Sequence, residues 1–264
     1  MSEWNENDCV RDTEGRFARR PGDGAGPKIG GAAFPYPDTD GGSAEYVLCE
    51  SLEDWRERRR RTPGCSDMKR LLLDGRRPEP FEPEPGSYTA RIFEFGHKWE
   101  PRVASEYARR EGLRERPEDT PIGDLRPGEI TRHNLAMYEL DGKVHASLDA
   151  VQRNLDGTVT VVEIKTGARK SPETMRPDQW DGYLAQATVE RLVTGADSAR
   201  IVYAQRPYRF DEMGDEETAR VTLGGLSVVD VDDEAIRHVR LHDGSLLSDL
   251  DVPRLERACD GLRG

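Results

Sequence analysis

At 264 residues the chain holds one sizeable core with appended pieces, or at most two small domains; 35% hydrophobic against 34% charged residues still leaves apolar material for that core. No run reaches the roughly 18 to 20 apolar residues of a membrane helix, and the opening MSEWNENDCVRD lacks the basic and apolar regions of a secretory signal, so a cytoplasmic protein without a membrane anchor is expected. The net charge of −12 runs against a nucleic-acid binder, but residues 211–264 carry 14 acidic and 6 basic side chains and so hold −8 of it.

Residues 1–45 are rich in Gly, Pro and Asp without a sustained period and read as a flexible or irregular segment. SAEYVLCESLEDWRERRRR then reads as a helix whose end carries Arg56, Arg58, Arg59, Arg60 and Arg61. Such a cluster is either a solvated helix end or a contact to DNA phosphate, with Arg59 and Arg60 as the candidates. RRPEPFEPEPGSY is an extended Pro-rich connection.

In IFEFGHKWEPRVASEYARREG, Phe95, Trp99, Val103 and Tyr107 recur every four residues, the stripe of an amphipathic helix that stops near Gly112. Pro101 predicts that the regular helix starts near it, with Glu100 on the first turns. Three strands follow, Glu129 to Leu140, Lys143 to Val151 and Thr158 to Lys165, with turns at Asp141-Gly142 and Asp156-Gly157. TVTVVEIK is apolar or β-branched on both faces until its charged end, as in a central strand. Gln179 to Thr194 reads as a helix stopped by Gly195, and ARIVYAQ as a further buried strand. A strand pair around RVTLGGLSVVDV and a helix near Val252 to Leu262 complete the chain. Cys9, Cys49, Cys65 and Cys259 form no CxxC pair, which points to free thiols rather than to zinc, iron-sulfur or disulfide frameworks.

If the second hairpin closes through Leu155-Asp156-Gly157, paired residues sum to 312, and Asp149 lies opposite Glu163 with Lys165 on the same face. Two neighbouring carboxylates call for a cation such as Mg²⁺, and a cation beside an ammonium suits phosphodiester hydrolysis by an activated water. The bland alternative is a cross-strand salt bridge on a solvated face. Against it, only 6 of the 39 basic residues are lysines, so a plain surface cation in this chain would be arginine. Glu163 and Lys165 also end a strand that otherwise reads as buried.

SLDAVQRNLDGTVTVVEIKTG resembles the Asp then Glu-x-Lys core of the PD-(D/E)XK nucleases, and the surrounding pieces resemble the branch of lambda exonuclease and YqaJ-type viral recombinases. FGHKWEP is similar to that branch's Gly-x-x-x-Glu segment through Gly96 and Glu100. DGYLAQATVERLVTG is similar to its Tyr-x-x-Gln helix through Tyr183 and Gln186, and KIGGAAF to its IGGS segment with Ala32 in the serine position.

The resemblance implies an α/β fold with a restriction-endonuclease-like core: helix, three-stranded meander, helix and strand, in a mixed sheet flanked by helices. It implies a core at 46–210 with its N-terminal helical part, leaving 211–264 as an acidic extension packed on it. Asp149 and Glu163 would hold Mg²⁺, or Mn²⁺, with Glu100 and the Ile164 carbonyl as further ligands, Lys165 would serve the water and Gln186 would orient it. Tyr183, Arg59, Arg60 and Lys170 are the candidate DNA contacts, the last also reading as a solvated loop residue. His97, His145 and Ser147 have weaker claims on the site, each with an ordinary structural reading. The implied activity is exonucleolytic cleavage at duplex DNA ends in phage-type recombination or repair, in company with an annealing protein or as a homo-oligomer. A structure-specific or restriction-type endonuclease, or a non-catalytic DNA-binding or assembly module, are the other readings.

Overall fold

The computed structural model describes residues 44–76 and 83–263. Cys9, the Ile29-Gly30-Gly31 stretch and residues 77–82 of the Pro-rich connection lie outside these described residues. In chain order the elements are β1 (Ala44–Leu48), α1 (Leu52–Arg61), α2 (Cys65–Asp74), α3 (Tyr88–Glu111), β2 (Arg114–Glu115), β3 (Glu129–Arg132), β4 (Ala136–Leu140), β5 (Val144–Ala146), β6 (Ala150–Arg153), β7 (Val159–Gly167), α4 (Pro177–Thr194), β8 (Ser198–Gln205), α5 (Asp215–Gly224), β9 (Ser227–Asp230), α6 (Asp233–Ile236) and α7 (Val252–Arg263).

A six-stranded mixed sheet in the order β2-β3-β6-β7-β8-β9 forms the centre, with β7 and β8 parallel and α4 crossing between them. Alternation along β7 separates two cores. Val162 and Ile164 pack with Val103, Ala104, Tyr107 and Ala108 of α3, while Val159 and Val161 pack with Leu184, Ala187 and Val189 of α4 and with α2 and α7. Helices thus cover both faces of the sheet, the α/β architecture expected of the sequence. A smaller sheet, β1-β4-β5, lies alongside.

The same residues explain where the structure departs from the sequence reading. The stretch expected as one helix from Ser43 divides: Ala44–Leu48 is a strand paired with β4, and Ser51 then caps α1 by accepting from the Asp54 N–H. Tyr46 and Val47, paired beside a buried strand, win over a helical continuation. Helix α3 starts at Tyr88 under a Ser87 cap and carries Pro101 in its interior. An interior proline costs about 3 kcal/mol. Burial of Phe95, Trp99, Val103 and Tyr107, each worth about 1.5–3 kcal/mol, exceeds that cost.

The first two strands of the meander are each broken, so that β3 and β6 join the central sheet while β4 and β5 join the small one. RVTLG is helical in α5 rather than a strand, because Asp215, Glu216 and Glu217 complement the dipole of its first turn and Thr218 and Thr222 bury one face. Both hairpin turns form where the sequence places them, with Asp141, Gly142 and Gly157 at positive φ. Cys49 and Cys65 are buried free thiols, and Cys259 is buried with its Sγ 3.7 Å from Met68 Sδ. Among the described residues no helix is long and apolar enough to cross a membrane.

Candidate active site

The β6–β7 ladder sets the site. Its pairs are Ala150↔Val162, Val151↔Val161, Gln152↔Thr160 and Arg153↔Val159, the register expected from the Gly157 turn. Asp149 is the bend residue just before the ladder begins, one step from its last pair. Its backbone carbonyl accepts from His133 N at 3.3 Å, and its side-chain Oδ2 accepts from the Ile164 N–H at 2.6 Å. Asp149 is thereby tied to the strand that carries Glu163 and Lys165.

Glu163, 2% exposed, is the hub. Its Oε1 accepts from Lys165 Nζ and from Gln186 Nε2, the latter at 2.7 Å. Its Oε2 is buried and receives no N–H or ammonium donor among the described residues. Gln186 reaches it from α4 and also donates to Glu190 Oε1 at 3.0 Å, while its Oε1 accepts from Lys69 Nζ at 3.1 Å. Lys165 and Lys69 both stand over the Tyr183 ring, at 5.4 and 5.9 Å from its centroid. An aromatic face attracts ammonium groups, so Tyr183 seats the two cations side by side.

The electrostatics follow from crowding acids in a dry place. Burial raises the Asp149 pKa well above the usual carboxylate range, and the charges of Glu163 and Glu100 add to it. Burial, then Glu163 and Asp149, do the same to Glu190. Glu100, half-buried on α3, is pushed up to about 7 by burial and by Glu163. Burial alone would pull the Lys165 ammonium down, but Glu163 and Asp149 more than reverse it and hold it above the ordinary lysine value. Burial and the neighbouring Lys165 bring Lys69 down to about 8.

The remaining sequence candidates are scattered in their roles. Ile164 supplies the N–H that Asp149 accepts, and Tyr183 takes a further hydrogen bond at its hydroxyl from Gln179 Nε2 at 3.0 Å. The Arg59 guanidinium stacks 4.4 Å over Trp55 and helps keep His97 and His145 neutral, behind the effect of their burial. Arg58, Arg60 and Arg61 each face a carboxylate of their own helix, so the run that read as one basic patch is largely internally paired. Lys170 is exposed in the loop after β7. His145 is a structural histidine held through Nδ1 by Thr62 Oγ1, and Ser147 Oγ is buried without a hydrogen-bond partner among the described residues. Lys69 and Glu190 are missing from the sequence candidates. Lysine scarcity, the signal used for Lys165, applies equally to Lys69, and Glu190 stands one helical turn beyond Gln186.

The donor set fits a hard divalent cation. Among the described residues no N–H or ammonium group donates to the buried Glu163 Oε2 and Glu190 Oε2, and Asp149 and Glu190 are both raised by burial and by Glu163, Glu190 also through a carboxyl hydrogen bond with it, which marks a deficit of positive charge. Among the described residues no three His, Cys, Asp or Glu side chains stand as a ready ligand group. Mg²⁺ is commonly held by one or two carboxylates and completed by water and phosphate oxygens, and Asp149 and Glu163 are the carboxylates that would hold it here.

No protein-family model matches the chain, and no curated protein matches it. Among solved structures it is similar to a phage-related exonuclease from Haemophilus somnus 129PT, with a TM-score of 0.38 and 12% identity over 81% of this chain and 83% of that one. It is similar to an alkaline exonuclease, LHK-Exo, from Laribacter hongkongensis, with a TM-score of 0.38 and 15% identity over 80% and 96% of the two chains. The likeness to SSO0001 has a TM-score of 0.34 and 14% identity over 64% of this chain, which spans 58% of the length of that one. These overlaps are partial, and the chemistry of this chain rests on its own residues.

Proposed function

We propose that the chain is a divalent-cation-dependent deoxyribonuclease of the PD-(D/E)XK kind, and more narrowly an exonuclease acting on duplex DNA ends in recombination or repair. One observation carries the reading: Glu163 has one oxygen held by Lys165 and Gln186 and the other buried without an N–H or ammonium donor among the described residues, beside a second carboxylate, Asp149, fixed by the same strand. Glu163 Oε2 and the Asp149 carboxylate would hold the cation, with the Ile164 carbonyl and Glu100 as further candidates. When bound, the cation supplies Lewis acidity toward a phosphate oxygen and lowers the pKa of water.

The protein's own groups do the rest. Lys165 Nζ, kept protonated by its carboxylate neighbours, is a compact positive charge and hydrogen-bond donor for the charge that builds on a phosphodiester under attack. Gln186 keeps the Glu163 carboxylate turned so that its second oxygen stays available. Tyr183 seats Lys165, and the exposed Lys170 together with Arg59 extends positive charge toward a phosphate backbone.

The test is digestion of linear and circular duplex DNA with Mg²⁺, with EDTA, and with Lys165→Ala. Loss of linear DNA only, abolished by EDTA and by the substitution, is expected. Cleavage of circles would move the reading to an endonuclease. No cleavage with Mg²⁺ or Mn²⁺ would overturn it in favour of a DNA-binding module.

A further inference from the structure

We propose that Lys69 is a positioning residue for the Glu163 carboxylate, acting through the side-chain amide of Gln186. Lys69 comes from α2, in the layer N-terminal to the helix, hairpin and strand that carry the acids, and no motif reaches it.

An ammonium only donates hydrogen bonds, so the Gln186 atom 3.1 Å from Lys69 Nζ has to be its carbonyl oxygen. That assignment puts the amide nitrogen on the opposite side, where its two hydrogens go to Glu163 Oε1 at 2.7 Å and Glu190 Oε1 at 3.0 Å. Turned over, the amide would present its oxygen to two carboxylates and its nitrogen to the Lys69 ammonium, so the Lys69 hydrogen bond adds to the preference that Glu163 and Glu190 impose. Lys69 therefore locks, from the carbonyl side, the orientation in which Gln186 donates to Glu163.

The support is rigid. Met68 and Leu72 anchor α2 in the core that also holds α4, and the Lys69 ammonium rests against the Tyr183 ring that seats Lys165. Lys69 and Lys165 thus act on Glu163 from two elements, one through the amide and one directly. The oxygen left over, Glu163 Oε2, is the one that the proposed function assigns to the cation, so only the cation and activity effects rest on that reading.

The test follows the Gln186 side-chain NH₂ by ¹⁵N NMR in the full chain, with the signals assigned by their loss in Gln186→Met. Mn²⁺ affinity is measured by calorimetry on the same proteins. In Lys69→Met the NH₂ signals are expected to lose their hydrogen-bonded shift and slow exchange, and Mn²⁺ affinity to fall about tenfold, the usual effect of removing an outer partner of a ligand. Lys69→Arg is expected to restore both, and Lys69→Met with Gln186→Met to bind Mn²⁺ no more weakly than Gln186→Met alone. If Lys69→Met does not fold, Lys69→Gln, polar but one bond too short to reach, takes its place. Unchanged NH₂ signals in the loss variant overturn the proposal, as does an Mn²⁺ affinity that is unchanged or tighter, the sign of a merely repulsive charge. A wild-type protein that binds no Mn²⁺ or cuts no DNA overturns the nuclease reading, and the NH₂ signals still decide the role of Lys69.

Discussion

Asp149 Oδ2 accepts the Ile164 N–H at 2.6 Å, so the acid just outside β6 is bound to the backbone of β7 between Glu163 and Lys165. That bond needs an oxygen, not a charge. Asp149→Asn, with its amide oxygen toward Ile164, is expected to keep the fold and to lower duplex digestion by about a hundredfold or more, since a Lewis-acidic cation is worth several kcal/mol. Circular dichroism and a timed digestion check the two halves of the statement. Parallel loss of fold and activity would reassign Asp149 to structure.

Cation binding should register in stability. Asp149, Glu190 and Glu100 are each raised by burial and by the Glu163 charge, and a cation bound only in the folded state relieves that repulsion. At a hundred times its Kd, Mg²⁺ or Mn²⁺ is expected to stabilise the protein by about 2.7 kcal/mol. The melting temperature with added Mn²⁺ and with EDTA reads this directly, and Glu163→Gln is expected to remove most of the difference.

His145 should make stability fall in acid. Burial, reinforced by Arg59, lowers its pKa from 6.5 to about 4. Between those values the unfolded chain binds the proton and the folded chain does not, so stability present above pH 6.5 is lost as the pH drops toward 4. Urea midpoints taken across that window are expected to decline in the wild type and to decline less in His145→Gln.

Gly167, two residues past Lys165, has no room for a methyl group. A Cβ there would lie 2.5 Å from the Tyr203 hydroxyl, which donates to the Arg169 carbonyl at 2.9 Å. Gly167→Ala is expected to cost about 1–3 kcal/mol by overpacking. Adding Tyr203→Phe should recover part of that loss in a denaturant titration, because the nearest clashing atom is gone.

Much of this architecture was legible in the residues. Strand alternation with the Asp156-Gly157 turn places Asp149, Glu163 and Lys165 on one face, and helical spacing brings Gln186 to them, because these relations are local and periodic. The division of the meander between two sheets was not legible, since nothing in Glu129 to Leu140 marks the break except its partners, Arg153 to Ala150 on one side and β1 on the other. Pro101 misled for a related reason: a local penalty was outweighed by an aromatic stripe whose burial is a tertiary fact. Lys69 stayed hidden because its partner is 117 residues away.

Sequence separation also ranks these contacts by the length of loop each must close. Asp149 meets Ile164 across 15 residues and Gln186 meets Glu163 across 23, whereas Lys69 meets Gln186 across 117. Closing a loop costs more entropy as it lengthens, though only logarithmically, and distant contacts are reached later in folding. The hairpin and the helix after it can therefore gather Asp149, Glu163, Lys165 and Gln186 before α2 docks. The acids are thus gathered by contacts local to one hairpin and one helix, while the direction of the amide between them depends on the contact that spans the longest loop.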